Sequence, residues 1–177
     1  MIYFTSDLHL GQKGINYVHQ RPFDDVDIMN ETLINNFNGV VREEDTVYIV
    51  GDLCNGVSVE VANKLISQLN GKKILIRGNH DKQYDPSLFV EICDYKFFFY
   101  RGFTFVLMHY PIMDWYKRSK GSIHIHGHLH SDRKYNLDNR KKGIHRYDCG
   151  VDANSFKPVS ILQIMHFYQK YENFNKY

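Results

Sequence analysis

A chain of 177 residues and 21.0 kDa, 43% hydrophobic and 24% charged, has the length for a single domain with a sizeable core and the composition of an ordinary globular protein. With 22 basic against 20 acidic residues the formal charge is only +2, which argues against a non-specific nucleic-acid binder. No apolar run approaches the ~20 residues that span a bilayer, and the N-terminus lacks the charged and long apolar regions of a signal peptide.

Met1 to Ser6 reads as a short buried strand ending in a polar turn. Asp24, Asp25 and Asp27 then precede apolar residues at Ile28, Met29, Leu33, Ile34, Phe37, Val40 and Val41. Those spacings follow one helical face, and the acids suit the helix N-terminus. Thr46 to Val50 is a β-branched run stopped by Gly51. A second helix is expected through Val61, Leu65, Ile66 and Leu69, ending at Asn70-Gly71, and a third strand over Lys73 to Arg77, stopped by Gly78. This β-α-β-α-β succession predicts a mostly parallel sheet with covering helices.

The second half reads mainly as β. Phe97 to Tyr100 and Phe103 to His109 flank a hairpin turn at Arg101-Gly102, and further strands are expected at Ser122 to His126, His145 to Val151 and Ser160 to Ile164. Together they predict a second sheet packed on the first. Gln163 to Phe174 fits either strand or helix. The basic stretch of Arg133, Lys134, Arg140, Lys141, Lys142 and Arg146 reads as solvated surface. No linker or repeat interrupts the chain, so residues 1–177 are expected to form one domain. Cys54, Cys93 and Cys149 are scattered and odd in number, which points to a reducing compartment. With candidate site residues starting at Asp7, the expected location is the cytoplasm.

Residues with coordinating chemistry follow the ends of these strands, the edge at which open α/β sheets bind ligands. Asp7 and His9 follow the first strand, Asp52 the second, and Asn79 and His80 the third. His109 ends a later strand, and His128 and His130 follow the one before Gly127. Carboxylates, an amide oxygen and imidazoles without a thiolate suit hard-to-borderline divalent metals. In Asp7-x-His9 and His128-x-His130, side chains two apart on an extended chain point the same way, so each pair can grip one ion. Gly51, Gly78 and Gly127 permit tight turns and close approach of backbone to a ligand. Singly, Asp7 reads better as a turn or cap residue, Asp52 as an Asx turn and Asn79 as a left-handed turn residue. Their joint occurrence favours a metal site.

Asp7-Leu8-His9, Gly51-Asp52, Gly78-Asn79-His80-Asp81, His109 and Gly127-His128-Leu129-His130 resemble, in content and order, the five motifs of the calcineurin-like metallophosphoesterases. The whole pattern is similar to small bacterial and phage members, with Gln12 where those carry a histidine after Gly11. The resemblance implies an α/β fold, a four-layer α/β/β/α sandwich of two mixed sheets flanked by helices. It implies two divalent ions, manganese foremost, with iron, zinc or nickel as alternatives. Asp7, His9, Asp52 and His130 would hold the first, while Asp52 would bridge to a second held by Asn79, His109 and His128. His80 would bind no metal, but would stabilise the transition state or protonate the leaving oxygen, with Asp81 as a candidate to orient it. Ions ~3.5–4 Å apart clamp a phosphoryl group and acidify water to a pKa of ~7, so no protein nucleophile is needed.

The expected activity is therefore hydrolysis of a phosphate ester on a small-molecule substrate. Protein phosphatases of the family carry GDxVDRG, whereas this chain reads Gly51-Asp52-Leu53-Cys54-Asn55-Gly56 and lacks that arginine. The reading leans to a phosphodiesterase acting on small or nucleotide-like substrates. The alternatives are a phosphomonoesterase or protein phosphatase (with Arg118 as a substitute cation), a nuclease, and a non-catalytic metal-binding scaffold. Residues 110–121, with Trp115, Tyr116, Lys117, Arg118 and Lys120, read either as an aromatic, basic shelf or as a solvated loop. Of the other histidines, His126 reads as packing behind the site, His124 as structural, and His19, His145 and His166 as unrelated. Cys54 reads as a buried small hydrophobe.

Overall fold

The computed structural model describes residues 1–172, and among these nine strands form two mixed sheets flanked by helices. In the first sheet β1 (Ile2–Thr5), β2 (Thr46–Ile49), β3 (Lys72–Ile76) and β4 (Glu91–Cys93) are parallel in the order β4-β3-β2-β1. The two-residue β9 (Val159–Ser160) pairs antiparallel with β1 at the far edge. The second sheet runs β5 (Lys96–Tyr100), β6 (Phe103–Leu107), β7 (Ile123–His126), β8 (Arg146–Asp148). Its β5–β6 hairpin is antiparallel and its other pairs are parallel. Arg101 and Gly102, at φ 48° and 85°, make the tight hairpin turn.

Between the sheets lies an aromatic-rich layer in which Phe4, Tyr48 and Ile76 of the first sheet meet Phe105, Leu107, Ile123 and Ile125 of the second. Phe4 stacks on Phe105 at 6.0 Å and on Tyr48 at 5.6 Å, geometry that adds to what area burial alone supplies. The other face of the first sheet is covered by α2 (Val26–Asn38) and α3 (Val59–Ile66), which bury Met29, Leu33, Phe37, Ala62 and Ile66 against Val47, Ile49 and Leu75. Asp25 caps α2 by accepting from the N–H groups of Asp27 and Ile28, and Ser58 caps α3. A single short turn, α1 (Ile15–Val18), lies in the loop after β1.

One sequence expectation needs correction, and another holds only in part. Ser160 to Ile164 is not a strand: pairing stops at Ser160, and Ile161–Glu172 forms α5, with Ile161, Ile164, Met165 and Tyr168 buried at a helical spacing in the inter-sheet layer. The ambiguous segment Gln163 to Phe174 is thus helical through Glu172, and its last two residues lie outside the described region. In the basic stretch Arg133, Lys134, Lys141 and Lys142 are exposed as expected of a solvated surface, while Arg140 and Arg146 are half-buried and most of the segment is helical. Arg133–Lys141 forms α4, capped by Asp132, packed along β8 at the edge of the second sheet. Its buried residues are Asn136 and Asn139 rather than aliphatics, so no apolar periodicity marks it. Asn136 donates to the carbonyl of Asp148 and accepts from its N–H, completing the free edge of β8 with a side-chain amide. Arg140 lies over the Phe167 ring at 4.2 Å, and Arg146 donates to the carbonyl of Ile112.

Candidate metal centre

Register brings the candidate residues together. Thr5, Ile49 and Leu75 are aligned across β1, β2 and β3. Asp7 follows the first of them by two residues, Asp52 the second by three and Asn79 the third by four. The loops after β1 and β2 stay hydrogen-bonded beyond the sheet, through Asp7 N–H to Gly51 O, His9 N–H to Asp52 O and Leu10 N–H to Leu53 O, each 3.0 Å. In the second sheet Leu107 and Ile125 are aligned, which sets His109 beside Gly127 and His128, and the Gly127 N–H donates to the carbonyl of His109 at 3.0 Å. The two sheets meet where the His128 N–H donates to both oxygens of Asp7, at 3.1 and 3.0 Å.

Asp7, His9, Asp52, His128 and His130 all sit in the left-handed region, at φ 56°, 50°, 54°, 72° and 47°. That conformation costs roughly 1–2 kcal/mol per L-residue and persists only where the surroundings impose it. The Asp7/His9 and His128/His130 pairs are therefore not displayed on extended chain, as their spacing suggests. The second pair does not face one point at all. His128 Nδ1 lies 3.1 Å from Asn79 Oδ1, which is also 3.1 Å from His109 Nε2. His130 lies instead beside His9, with ring centroids 5.0 Å apart, and its Nε2 is 4.0 Å from Asp7 Oδ1. Asp52 stands between these groups, its Oδ2 3.5 Å from both His9 Nε2 and His109 Nε2.

The donor chemistry fits divalent ions. Two sets, Asp7/His9/His130 and Asp7/Asp52/His109, offer ligand atoms within 4.8 Å of one another. Both ring nitrogens of buried His9 lack a hydrogen-bond partner, an arrangement that is costly unless another group takes up a lone pair. Burial lowers the His9 pKa to about 3, so that ring is neutral and available to coordinate. Burial likewise pushes the Asp7 carboxyl up to about 7, the response of a carboxylate in a dry site awaiting positive charge. For Asp52 burial acts in the same upward direction, but the His109 ring and the His80 N–H outweigh it and hold the carboxyl at about 2.

Several supporting residues carry no motif and escape a sequence reading. Arg21, its side chain fully buried, binds Asp152 through Nε and Nη2 at 2.8 and 2.9 Å and donates to the carbonyls of Asp7 and Leu8 at 2.7 and 3.1 Å. Asp152 in turn accepts from His130 Nδ1 at 2.9 Å, which fixes that ring with Nε2 toward Asp7. His109 is oriented in the same manner, its Nδ1 donating to the carbonyl of Val50 at 2.8 Å. His19 is not unrelated to the site: its ring stacks on His130 at 3.7 Å.

Asp81 does not orient His80. It accepts instead from the N–H groups of Asp52, Leu53 and Gly78 and from the Tyr84 hydroxyl, tying the second and third loops together. His124 and His126 face away from the cluster. His124 reaches the carbonyl of Val106 and the N–H of Ile112, and His126 the carbonyl of Gly127 and the Tyr135 hydroxyl, with burial holding both near a pKa of about 3. Cys54 packs in the helix-side core. In the loop 110–121, Trp115 is buried against His124, and the ring that reaches the cluster is Tyr110, 4.7 Å from His128. Lys117 lies over Phe99, and Arg118 over Trp115.

Gly127 is set by space. A Cβ there would fall 1.8 Å from Ser6 Oγ and 2.4 Å from Asp7 Oδ2. Ser6 has nowhere to retreat, since its hydroxyl already bonds Asp7 and the carbonyl of Val50. Gly127→Ala is therefore expected to cost about 1–3 kcal/mol or more by overpacking and to displace Asp7. Thermal unfolding and metal titration should both register the change. A variant with unchanged Tm and metal affinity would mean that the loop yields freely.

A family model described as calcineurin-like phosphoesterase matches residues 1–157. The chain is 36% identical over 173 residues to the uncharacterized protein MJ1445 of Methanocaldococcus jannaschii, covering 96% of this chain and 92% of that one. It is 31% identical over 182 residues to the gene 66 protein of Mycobacterium phage L5, covering 85% and 86%. A solved structure, the protein of unknown function AQ665 from Aquifex aeolicus, superposes with a TM-score of 0.74 at 29% identity, over 93% of this chain and 97% of that one.

Proposed function

The chain belongs to the calcineurin-like phosphoesterase family, and from that premise we propose that it is a dinuclear-metal phosphodiesterase acting on small or nucleotide-like phosphate esters. The observation that carries this reading is the position of Asp52. Its Oδ2 lies 3.5 Å from both His9 Nε2 and His109 Nε2, one in each of the two proposed ligand groups, which supports a carboxylate shared between them. On this reading Asp7, His9, Asp52 and His130 hold one ion, and Asp52, Asn79, His109 and His128 hold the other. Bound there, divalent ions supply Lewis-acid polarisation of the phosphoryl group and activation of water, with manganese the first candidate and iron, zinc or nickel the others.

The protein's own residues then do the positioning. The Asp52 carboxylate stays ionised through its contacts with His109 and the His80 N–H, and Asp152 and the carbonyl of Val50 fix two of the histidine rings. His80, exposed at the mouth with its ring 5.4 Å from that of His9, is the group placed to meet a phosphoryl or leaving oxygen. The preference for diesters rests on cation chemistry. Arg118, the candidate stand-in for a phosphomonoester-gripping arginine, is turned onto Trp115, and a diester carries one negative charge fewer to be matched. Among the described residues no helix is long and apolar enough to cross a membrane, and the free cysteines fit a reducing, cytoplasmic setting.

The test uses metal-stripped protein assayed on bis-p-nitrophenyl phosphate and p-nitrophenyl phosphate with added Mn, Ni, Zn or Mg. We expect metal-restored hydrolysis favouring the diester. His80→Ala should retain both ions and lose about 10²–10⁴-fold in kcat, the usual reach of a positioned imidazole. Hydrolysis of neither ester with any metal, despite two bound ions, would remove this reading.

A further inference from the structure

His80 is one of the more exposed rings of the cluster, yet it is not free. Its Nδ1 lies 3.1 Å from Asn55 Nδ2. The direction of that hydrogen bond is settled by the other end of the amide. Asn55 Oδ1 accepts from the Gly56 N–H at 2.8 Å, and a backbone N–H can only donate. The NH2 group must therefore face His80. Its second hydrogen goes to Gln12 Oε1 at 3.0 Å, and Gln12 is itself tied to the first loop through its N–H to the carbonyl of His9 at 3.1 Å. Both hydrogens of the amide and its oxygen are thus accounted for, and no alternative placement of the amide satisfies all three partners.

An imidazole that accepts at Nδ1 carries its proton on Nε2 and is neutral. Such a ring can donate a hydrogen bond from Nε2, but it cannot surrender that proton without becoming an imidazolate anion. We propose that His80 acts as a neutral hydrogen-bond donor to the phosphoryl or leaving oxygen, not as the proton donor, and that Asn55, steadied by Gln12, is the positioning residue that makes it so. An aspartate at position 55 would reverse the polarity, accepting from Nδ1–H, so that Nε2 either bears a lone pair or carries the proton of an imidazolium that can be given up. The substrate named here rests on the phosphoesterase reading above; the tautomer does not.

The experiment has a spectroscopic and a kinetic arm, both on the full-length protein. Long-range ¹H–¹⁵N spectra of zinc-loaded and metal-free samples, with His80 assigned by its loss in His80→Gln, should show an Nε2–H tautomer in wild type. In Asn55→Asp the proton should move to Nδ1. A wild-type ring that is Nδ1–H or doubly protonated at neutral pH would overturn the proposal. Kinetically, His80→Gln, which retains a neutral N–H donor near the Nε2 position, should keep activity within about tenfold of wild type, while His80→Ala loses far more. Glutamine as poor as alanine would indicate proton transfer and count against it. Asn55→Ala should lower kcat on the order of 10- to 100-fold at unchanged KM, as misorientation of a reacting group does, and should cost nothing further in an His80→Ala background. Additive losses would mean that Asn55 does not act through His80. If the wild type hydrolyses no ester, the functional reading fails, and the spectra still decide the tautomer.

Discussion

Asp52→Asn is expected to abolish ester hydrolysis while leaving the fold intact. The substitution is isosteric, and one partner dictates how the new amide sits. The His80 N–H, 2.9 Å from Oδ1, needs an acceptor, so the remaining oxygen stays there. The NH2 group is then forced to the Oδ2 position, where it faces His9 Nε2 and His109 Nε2, each 3.5 Å away. A negative acceptor between His9 and His109 becomes a neutral donor facing both rings. Loss of Lewis-acid assistance worth several kcal/mol corresponds to a fall in kcat/KM of about a thousandfold or more. Metal content measured by elemental analysis should fall from two ions per chain to one or none. The metal-free variant should melt somewhat below metal-free wild type, since the contacts that hold the carboxyl at about 2 are lost while the packing is kept. Normal turnover with two ions bound would exclude the bridging role.

The framework of this site is legible in the sequence because it depends on local patterns. Short apolar runs, stopped by a polar turn at Ser6 or by Gly51 and Gly78, mark strand ends, and ligand-type residues at or just beyond them mark the binding edge of the sheet. The register of β1, β2 and β3 then does the rest. Three features are not legible, each for a physical reason. The left-handed backbone at Asp7, His9, His128 and His130 is imposed by neighbouring loops, so the reading of each pair as extended fails, and His128 and His130 face different groups while Asp7 and His9 stay together. Helix α4 buries asparagines that serve as edge partners for β8, and polar burial leaves no hydrophobic period. The residues that orient the histidines of the site, Asp152 and Arg21 behind His130 and Asn55 beside His80, act through contacts between segments as much as 131 residues apart. Asp81 misleads in the opposite sense: adjacency to His80 suggests contact, while the chain direction turns its carboxylate back onto the loops of Asp52 and Gly78.

Arg21 is where that hidden layer is most exposed to test. It is a buried cation whose carboxylate partner, Asp152, also holds His130, and its other bonds go to the carbonyls of Leu8 and Asp7 and to the Met29 sulfur. It therefore joins the loop after β1 to a histidine of the second half, and both carry candidate ligands of the same ion. Burial alone would raise the Asp152 carboxyl, but His130 and Arg21 together hold it at about 2. Arg21→Met strands that carboxylate with the imidazole as its remaining partner among these contacts, and breaking a buried pair from one side costs about 3–5 kcal/mol. For a chain of this size that lowers Tm on the order of 10 °C. Asp152→Asn removes less, since an amide oxygen at the Oδ2 position can still accept from both Arg21 Nη2 and His130 Nδ1, and only the charge and the Arg21 Nε bond are lost. It should weaken metal binding by about 10–100-fold, the usual effect of losing a carboxylate behind a ligating histidine. In both variants the loss should fall on the ion at Asp7, His9 and His130, because Asn79, His109 and His128 draw their orientation from other contacts, such as that of His109 with Val50. Calorimetric titration would resolve this as one weakened and one preserved binding event. Two events weakened alike would mean that Arg21 supports the fold as a whole and not one half of the centre.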